Sequence, residues 1–553
     1  EYMDLVGDDH GQNNWLRGAC KLGIMPCNGL LYVPADQCFC QPGAKVLGFT
    51  ACAAEQPGRL ARVPDEVRLT KGAAYGKLGG VPPAASNDDW PTFRQGASRH
   101  GSNQSEAPAE VLPVWRTQLP APLTQPVMCA GRVYVAAKDA HTVFAVDAST
   151  GEVQWKFTAG ARIDSPPTIY GDAVLVGSAD GHVYCLRASD GELAWRLLAA
   201  RQDCRIANFD QLESVWPVHG SVLVDGGVAY VTAGRSSYLD GGVDILALDP
   251  LSGRVLHRTT VSGPMPTLEA RDEAFYLPGA NSDVLVSEGR SIFMRQKQFS
   301  PELEPIESEV LSNKGEKNIG LHVFSTSGLL DDSWYNRAFW MYAKRWPGFQ
   351  LAWQAPKAGQ LLVMDDENTY GLKVYYRRNV HSPMFFPGKE GYLIFADRNT
   401  TEPQIVGEPG AKPPVEWLPQ SDLPRDEINR LPLDSPAFGL DKMMGYTRAE
   451  PPLWTTWVPI RVRAMAKAGG TLLVAGARDE FEPADPFASF EGRSGALLAS
   501  IAATDGRKLG EVELPAVPVF DGLIVACGRV FASLEDGSLI CLAGNEPRAD
   551  ARP

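Results

Sequence analysis

Residues 131–155 and 171–195 spell one pattern twice, 40 positions apart and without a gap. The first copy reads GRVYVAAKDAHTVFAVDASTGEVQW and the second GDAVLVGSADGHVYCLRASDGELAW. Gly131 falls on Gly171, Val143 on Val183, Phe144 on Tyr184, Gly151 on Gly191 and Trp155 on Trp195. Each copy alternates apolar and polar residues in short runs separated by turn residues, which is the signature of strands. Asp180-Gly181 is a hairpin signal between two such runs. A repeat of about 40 residues built from strands stacks into a propeller or an array, because one copy cannot bury its own apolar face. Trp155 and Trp195 recur at the same place and are read as packing between neighbouring repeats.

Weaker copies follow. Residues 226–257 keep the turn at Gly253 but carry His257 where the tryptophan stands elsewhere. Residues 469–510 and 528–542 hold two more, with turns at Gly506 and at Asp536-Gly537. Residues 28–49 form a degenerate copy, and 283–295 and 359–371 two divergent ones. The total gives an all-β chain, an eight-bladed β-propeller over 1–553, with seven blades as the alternative. The last copy stops short of a full blade, so residues 2–6 and 13–19 are expected beside the 528–542 hairpin, closing the ring and covering its open edge. Stretches without the repeat, chiefly 54–110, 296–358 and 375–468, read as inserted loops capping one face. The abrupt start is read as the cut end of a longer chain, with an upstream domain or partner chain preceding Glu1.

Composition narrows the partners. The formal net charge is −14, which disfavours nucleic acid and anionic membrane. No run of 18 apolar residues is present, so no transmembrane helix is expected.

The pattern G-x-V-Y-V, then D-G, then D-x-x-T-G-x-x-x-W resembles the pyrroloquinoline-quinone-like (PQQ-like) repeat of quinoprotein alcohol dehydrogenases and of the lipoprotein BamB. Further stretches, among them RGACKLGIMPCNGLLYVPADQCFC (17–40), DWPTFRQGASRHG (89–101), GRSSYLDGG (234–242) and GLLDDSW (328–334), resemble large extracytoplasmic PQQ-like propeller proteins of planctomycete-type bacteria. That resemblance implies a periplasmic or secreted setting and, with ten cysteines, at least one disulfide among Cys20, Cys27, Cys38 and Cys40. The alternative for this cluster is a metal site of Cys20, Cys38 and Cys40 with His10, at a spacing no standard zinc site uses. Cys185 and Cys541 fall on strand positions and read as core. Quinone dehydrogenases set a vicinal cysteine pair against the cofactor and hold calcium with Glu, Asn and Asp. This chain has no Cys-Cys pair, and no C-x-x-C-H for covalent haem, which counts against PQQ and calcium.

Chemistry in such a ring belongs at its axial mouth, where loops converge. Three stretches are expected to meet there: 211–221, 234–242 and 328–337. Their candidate ligand-binding residues are Glu213, Trp216, His219, Arg235, Tyr238, Asp240 and Trp334, and the catalytic candidates are His219, Tyr238, Arg235, Asp331 and Asp332. Each has a plainer reading: Asp240 ahead of two glycines as a turn, Asp331 and Asp332 as helix caps, His219 as a hydrogen-bonded loop residue. Arg94 and Arg99, and the acidic run Asp365-Asp366-Glu367, complete the set. The leading function is a binding or scaffold module for a protein or glycan. Alternatives are a glycan-active enzyme, either lyase or hydrolase, with its site at the mouth, and a quinone-dependent dehydrogenase.

Overall fold

The protein was analysed as a computed structural model. It describes residues 22–34, 48–54, 61–79, 88–208, 210–263, 283–295, 297–307, 309–312, 315–325, 328–330, 340–346, 357–373, 392–401 and 446–544, with a few shorter pieces.

Among these residues, eight antiparallel sheets of four or five strands follow one another along the chain. The first is Val127–Cys129, Arg132–Ala137, Thr142–Asp147 and Val153–Thr158, each strand paired with the next. The second repeats it with Thr168–Tyr170, Ala173–Gly177, His182–Arg187 and Leu193–Leu198, and adds Leu69–Lys71 at its outer edge. The third runs from Leu223–Asp225 to Val255–Val261, the fourth from Leu285–Ser287 to Pro305–Ile306, and the fifth from Glu309–Ser312 to Ala358–Gly359. The sixth takes Leu361–Met364, Asn368–Lys373, Leu393–Arg398 and Trp454–Trp457. The seventh spans Ile460–Ala468 to Lys508–Leu514, and the eighth Pro518–Ala526 to Ser538–Ala543. The stretches 296–358 and 375–468, expected as capping loops, therefore supply strands of the fourth to seventh sheets. Apart from Trp454, their turn glycine and tryptophan have drifted away, and with them the visible repeat.

Apolar clusters join each sheet to the next. Tyr134 of the first sheet packs with Val174 and Leu186 of the second, and Leu175 of the second with Val231 and Leu246 of the third. Tyr230 meets Leu285 of the fourth, and Val286 meets Trp340 of the fifth and Leu362 of the sixth. Tyr370 joins Leu472 of the seventh, and Leu498 of the seventh joins Phe531 of the eighth and Val133 of the first. The circle closes, as a propeller requires.

The recurrent tryptophan makes these seams specific. Trp155 donates its indole N–H to Ala188 O at 2.9 Å, in the turn of the following sheet. Trp115 does the same to Ala148 O at 3.0 Å, and Trp454 to Ala503 O at 3.0 Å. The turn glycine is obligatory for two reasons. Gly191 has φ of +74°, where L-residues are strained, and a Cβ there would stand 2.5 Å from the Trp155 ring. Gly253 repeats the arrangement under Trp195, with φ of +70° and 2.7 Å. Asp147 builds the turn by accepting from the Ser149 and Thr150 N–H groups at 2.9 and 3.0 Å.

Two features depart from the sequence expectation. First, the outer edge of the eighth sheet is taken by Leu112–Gln118, antiparallel to Ser538–Ala543. The stretches 2–6 and 13–19, expected at this edge, lie almost wholly outside the described residues. Trp115 ties this segment to the first sheet's turn. Second, residues 88–105 do not cap a face but fill the axis. Trp90 exchanges backbone hydrogen bonds with Met128 at 2.8 Å, and Ile169 N–H donates to Pro91 O at 2.8 Å. Ser287 donates to Ala97 O, Met364 to His100 O, and Lys467 to Gly101 O, at 2.9, 3.0 and 3.1 Å. Ser102–Asn103 lies parallel against the inner strand of the seventh sheet, and Asn103 Nδ2 reaches Val525 O at 2.6 Å.

Arg94 and Arg99 anchor this plug. Arg94 pairs with Asp521 at 2.8 Å, bonds Leu362 O, and lies over the Trp340 ring 4.1 Å from its centroid. Arg99 is fully buried and donates to Phe93 O at 2.7 Å, Thr92 Oγ1 at 3.0 Å and Leu285 O at 3.2 Å. Burial, with Arg94's charge adding to it, pushes Arg99 down to about 9.

Candidate functional site

In a meander of four strands, the connection from second to third strand and the link from the outer strand to the next sheet leave on the same face. On the first three sheets these segments bring together a buried charged cluster. His219 shares a hydrogen bond between its Nδ1 and Asp164 Oδ2 at 2.6 Å. Arg162 donates to Asp164 Oδ1 at 2.5 Å and lies 3.4 Å from Glu213 Oε1. Arg235 donates to Glu213 Oε2 at 2.7 Å and to Ser214 O at 3.2 Å, and Asn208 Nδ2 reaches the same carboxylate at 2.9 Å. The carboxylates of Asp164 and Glu213 have no exposed surface, and His219 is 4% exposed.

Buried carboxylates are tolerated only when paired, and here Asp164 holds two cationic or polar partners and Glu213 three. Burial alone would raise Asp164. The charge and hydrogen bond of His219, with Arg162 and Lys138, outweigh it and hold the carboxyl at about 2. Asp283, at the entry to the fourth sheet, goes the other way: burial raises it, only partly countered by His219 and by the Leu329 N–H, which donates to Oδ1 at 2.7 Å. Since Asp164 is depressed, its contribution to stability is complete above the ordinary carboxylate range and is lost as pH falls towards 2. The stability advantage of the wild type over Asp164→Asn should therefore shrink by on the order of 2 kcal/mol between pH 5 and 2, measured by urea unfolding at each pH.

His219 Nε2 is buried and has no hydrogen-bond partner among the described residues, as do Gln125 Oε1, Ser165 Oγ and Ser221 Oγ on the links into the first three sheets. An imidazole oriented by a carboxylate on one nitrogen and free on the other can take or give a proton, or anchor a hydroxyl or carboxylate.

The expected residues are thus distributed. Glu213, His219 and Arg235 belong to one network, connected through Arg162 and Asp164. Trp216 is fully buried in the core between the second and third sheets and donates its indole N–H to Asp240 O at 2.9 Å. It offers no face to a ligand, and Asp240, at φ of +52°, is the turn that receives it. Tyr238 packs its ring on Gly263. Asp331, Asp332 and Trp334 lie outside the described residues, as do Cys20, Cys38, Cys40 and His10. Leu329, at the described end of that stretch, is held by Asp283, whose backbone carbonyl abuts Gly220 beside His219. Cys27, Cys185 and Cys541 are free thiols, the last two buried.

Sequence reasoning missed Asp164 and Arg162. One signal pointed to them: Asp164 stands four residues before Thr168, as His219 stands four before Leu223, so both sit at the same place ahead of an inner strand. At the other end of the axis the plug borders a cavity of about 510 Å³. It is lined by Gln95, His100 and Asn103 of the plug, and by Asp365, Asp366, Glu367 and Lys467. Lys467 pairs with Asp365 at 2.6 Å, and burial with the nearby Arg94 charge pushes His100 down to about 4.

The quinone chemistry of related rings does not fit these residues. The axis is occupied by Phe93, Arg94 and Arg99, the chain has no adjacent cysteine pair, and no three acidic, His or Cys side chains among the described residues are placed to share an ion. Among them, too, no helix is long and apolar enough to cross a membrane.

Comparison with known proteins gives one family match and several structural likenesses. The family model described as outer membrane protein assembly factor BamB matches residues 112–298. No curated protein matches the sequence. Solved structures similar to the chain include BamB from Moraxella catarrhalis, at 11% identity and a TM-score of 0.40, covering 80% of this chain and 99% of that one. Quinohemoprotein alcohol dehydrogenase from Comamonas testosteroni is similar at 12% identity and a TM-score of 0.43, covering 85% and 83%. The tryptophan-docked repeat and the closed circle of four-stranded sheets make the chain a β-propeller, and over residues 112–298 it is similar to the BamB family model.

Proposed function

We propose that the protein is an extracytoplasmic, eight-bladed binding module that engages a protein partner through the loops of one face. The observation that carries this reading is the axial plug. Residues 88–105 bond to inner strands around the ring and make it a solid disc, which leaves recognition to the rims. The match of residues 112–298 to the BamB family model supports a periplasmic setting and a protein partner.

The test is photo-crosslinking in the cells that make the protein. A crosslinking amino acid is placed singly at Asp139, Asp203 and Phe487 on the face of the His219 network, and at Glu152 and Asp505 on the opposite face. Discrete protein adducts are expected from the first set. Adducts from neither set, or alcohol oxidation by the purified protein given quinone and calcium, would overturn the reading.

One observation favours a second reading, a glycan-active enzyme at the mouth: the Asp164–His219 pair with its unpartnered Nε2. It predicts that turnover of a uronate-containing polysaccharide falls about 100-fold or more in His219→Ala, with the melting temperature kept in His219→Gln. Trp216, committed to the core, supplies no stacking platform, which places this reading second.

A further inference from the structure

The loop between the second and third strands of the seventh sheet, residues 479–495, carries three phenylalanines that stay outside. Phe481, Phe487 and Phe490 are 53, 62 and 59% exposed. A loop free to collapse would cover such rings, since burying one contributes roughly 1.5–3 kcal/mol. This loop is held open by its own bonding. Pro483 and Pro486 fix its backbone, Glu491 N–H donates to Phe487 O at 2.9 Å, and Arg493 N–H to Ala488 O at 2.7 Å. The Ser489 hydroxyl donates to Arg478 O and ties the loop to its stem. The rings are presented by a built scaffold.

Their surroundings are acidic. Glu480, Glu482 and Glu491 lie on the surface around them, and Asp485 is partly exposed. The nearby cations are already engaged: Arg493 with Asp485 and Glu491, Arg478 with Glu513 and Glu480, and Arg461 with Asp479, its guanidinium 5.9 Å from the Phe490 ring centroid. What a partner meets is an aromatic patch with an excess of negative charge at its rim.

We infer that this loop is a docking surface for a protein partner that presents lysine or arginine side chains interleaved with aliphatic ones. The inference rests on the protein-binding reading above and supplies its surface and its chemistry. Rim carboxylates pair with the basic groups, the ring faces accept cations, and the aliphatic side chains cover the aromatic area. An anionic membrane is repelled by the same rim, and a second copy of this chain brings its own charge of −14. Both fit the patch less well.

The probe is a fluorescein-labelled helical peptide of lysine and leucine, with its glutamate-for-lysine counterpart, titrated against the full chain by anisotropy at low and physiological salt. The lysine peptide should bind in a salt-dependent way. Affinity should drop about tenfold or more in Phe481→Ser/Phe487→Ser, a loss near 1.4 kcal/mol, and similarly in Glu480→Lys/Glu482→Lys. Glu152→Lys/Asp505→Lys, the same charge change on the opposite face, should bind as wild type does, and all variants should melt together. Equal binding after the phenylalanine substitutions overturns the inference. So does equal binding of the glutamate peptide, adsorption to phosphatidylglycerol vesicles, or a dimer that the phenylalanine substitutions dissociate. If the phenylalanine variants bind normally while Asp139 or Asp203 crosslinks a protein in cells, only this surface assignment falls. If no position crosslinks, the parent reading falls.

Discussion

Trp195→Ala should lower the unfolding free energy by about 3–5 kcal/mol, the range for removing a large buried aromatic. Trp195 has no exposed surface. Its ring lies between Leu69 and the turn at Gly253, so it joins an outer strand of one sheet to the turn of the next. Nothing around a closed ring can slide in to fill the space, because every neighbouring sheet is fixed by the one beyond it. Gly253→Ala approaches the same seam from the other side. It places a methyl 2.7 Å from the ring at a backbone conformation that disfavours L-residues, and should cost on the order of 2 kcal/mol. The double variant should be less damaged than the sum of the two, since removing the indole leaves room for the methyl. Guanidinium denaturation of the four proteins checks this. Additivity would show that ring and glycine do not share a seam.

Arg94→Met should cost a comparable amount, about 3–5 kcal/mol, because it leaves Asp521 buried and uncompensated. Both side chains are nearly inaccessible, at 2 and 4%. Asp521→Asn removes the opposite charge and is tolerated by the backbone, which has φ of +58° there. Combining the two substitutions should recover on the order of 2 kcal/mol relative to the sum of the single losses. The same cycle locates the plug: proteolysis within 88–105 should accelerate in Arg94→Met and return towards wild type in the double variant. A cycle without coupling would place Arg94 outside the axis.

How much of this was legible in the sequence follows from where the repeat keeps its marks. Trp155 is constrained by contact with Gly191, as Trp115 is with Gly151 and Trp195 with Gly253, so the first two sheets were readable residue by residue. The fourth and fifth sheets bury Val286 and Phe324 without that contact pair, and of these two sheets only 283–295 was read as a divergent copy, the rest as loop. The plug was invisible for a different reason. Its hydrogen bonds go to inner strands tens to hundreds of positions away, and a local pattern such as WPTFRQGASRHG gives no hint of partners like Asp521 or Val525. At the mouth, Glu213, His219 and Arg235 stood out as polar residues in one neighbourhood. Asp164 and Arg162, which connect them, belong to the preceding link and could be found only by aligning offsets from the inner strands.

The strand Leu112–Gln118 pairs with Ser538–Ala543, yet it is made long before them. While the ribosome adds the intervening residues, at about 5–20 per second, that strand waits for roughly 20 to 90 seconds beside a ring that is still an arc. Its two bare ends can hydrogen-bond to any passing chain during that interval. Synthesis, more than unfolding of the finished disc, is then the stage at which this protein needs a holding chaperone. A circular permutant beginning at Val127 and carrying Leu112–Gln118 after Ala543 should escape that dependence, since the four-stranded core of every sheet would be completed in the order in which it is made.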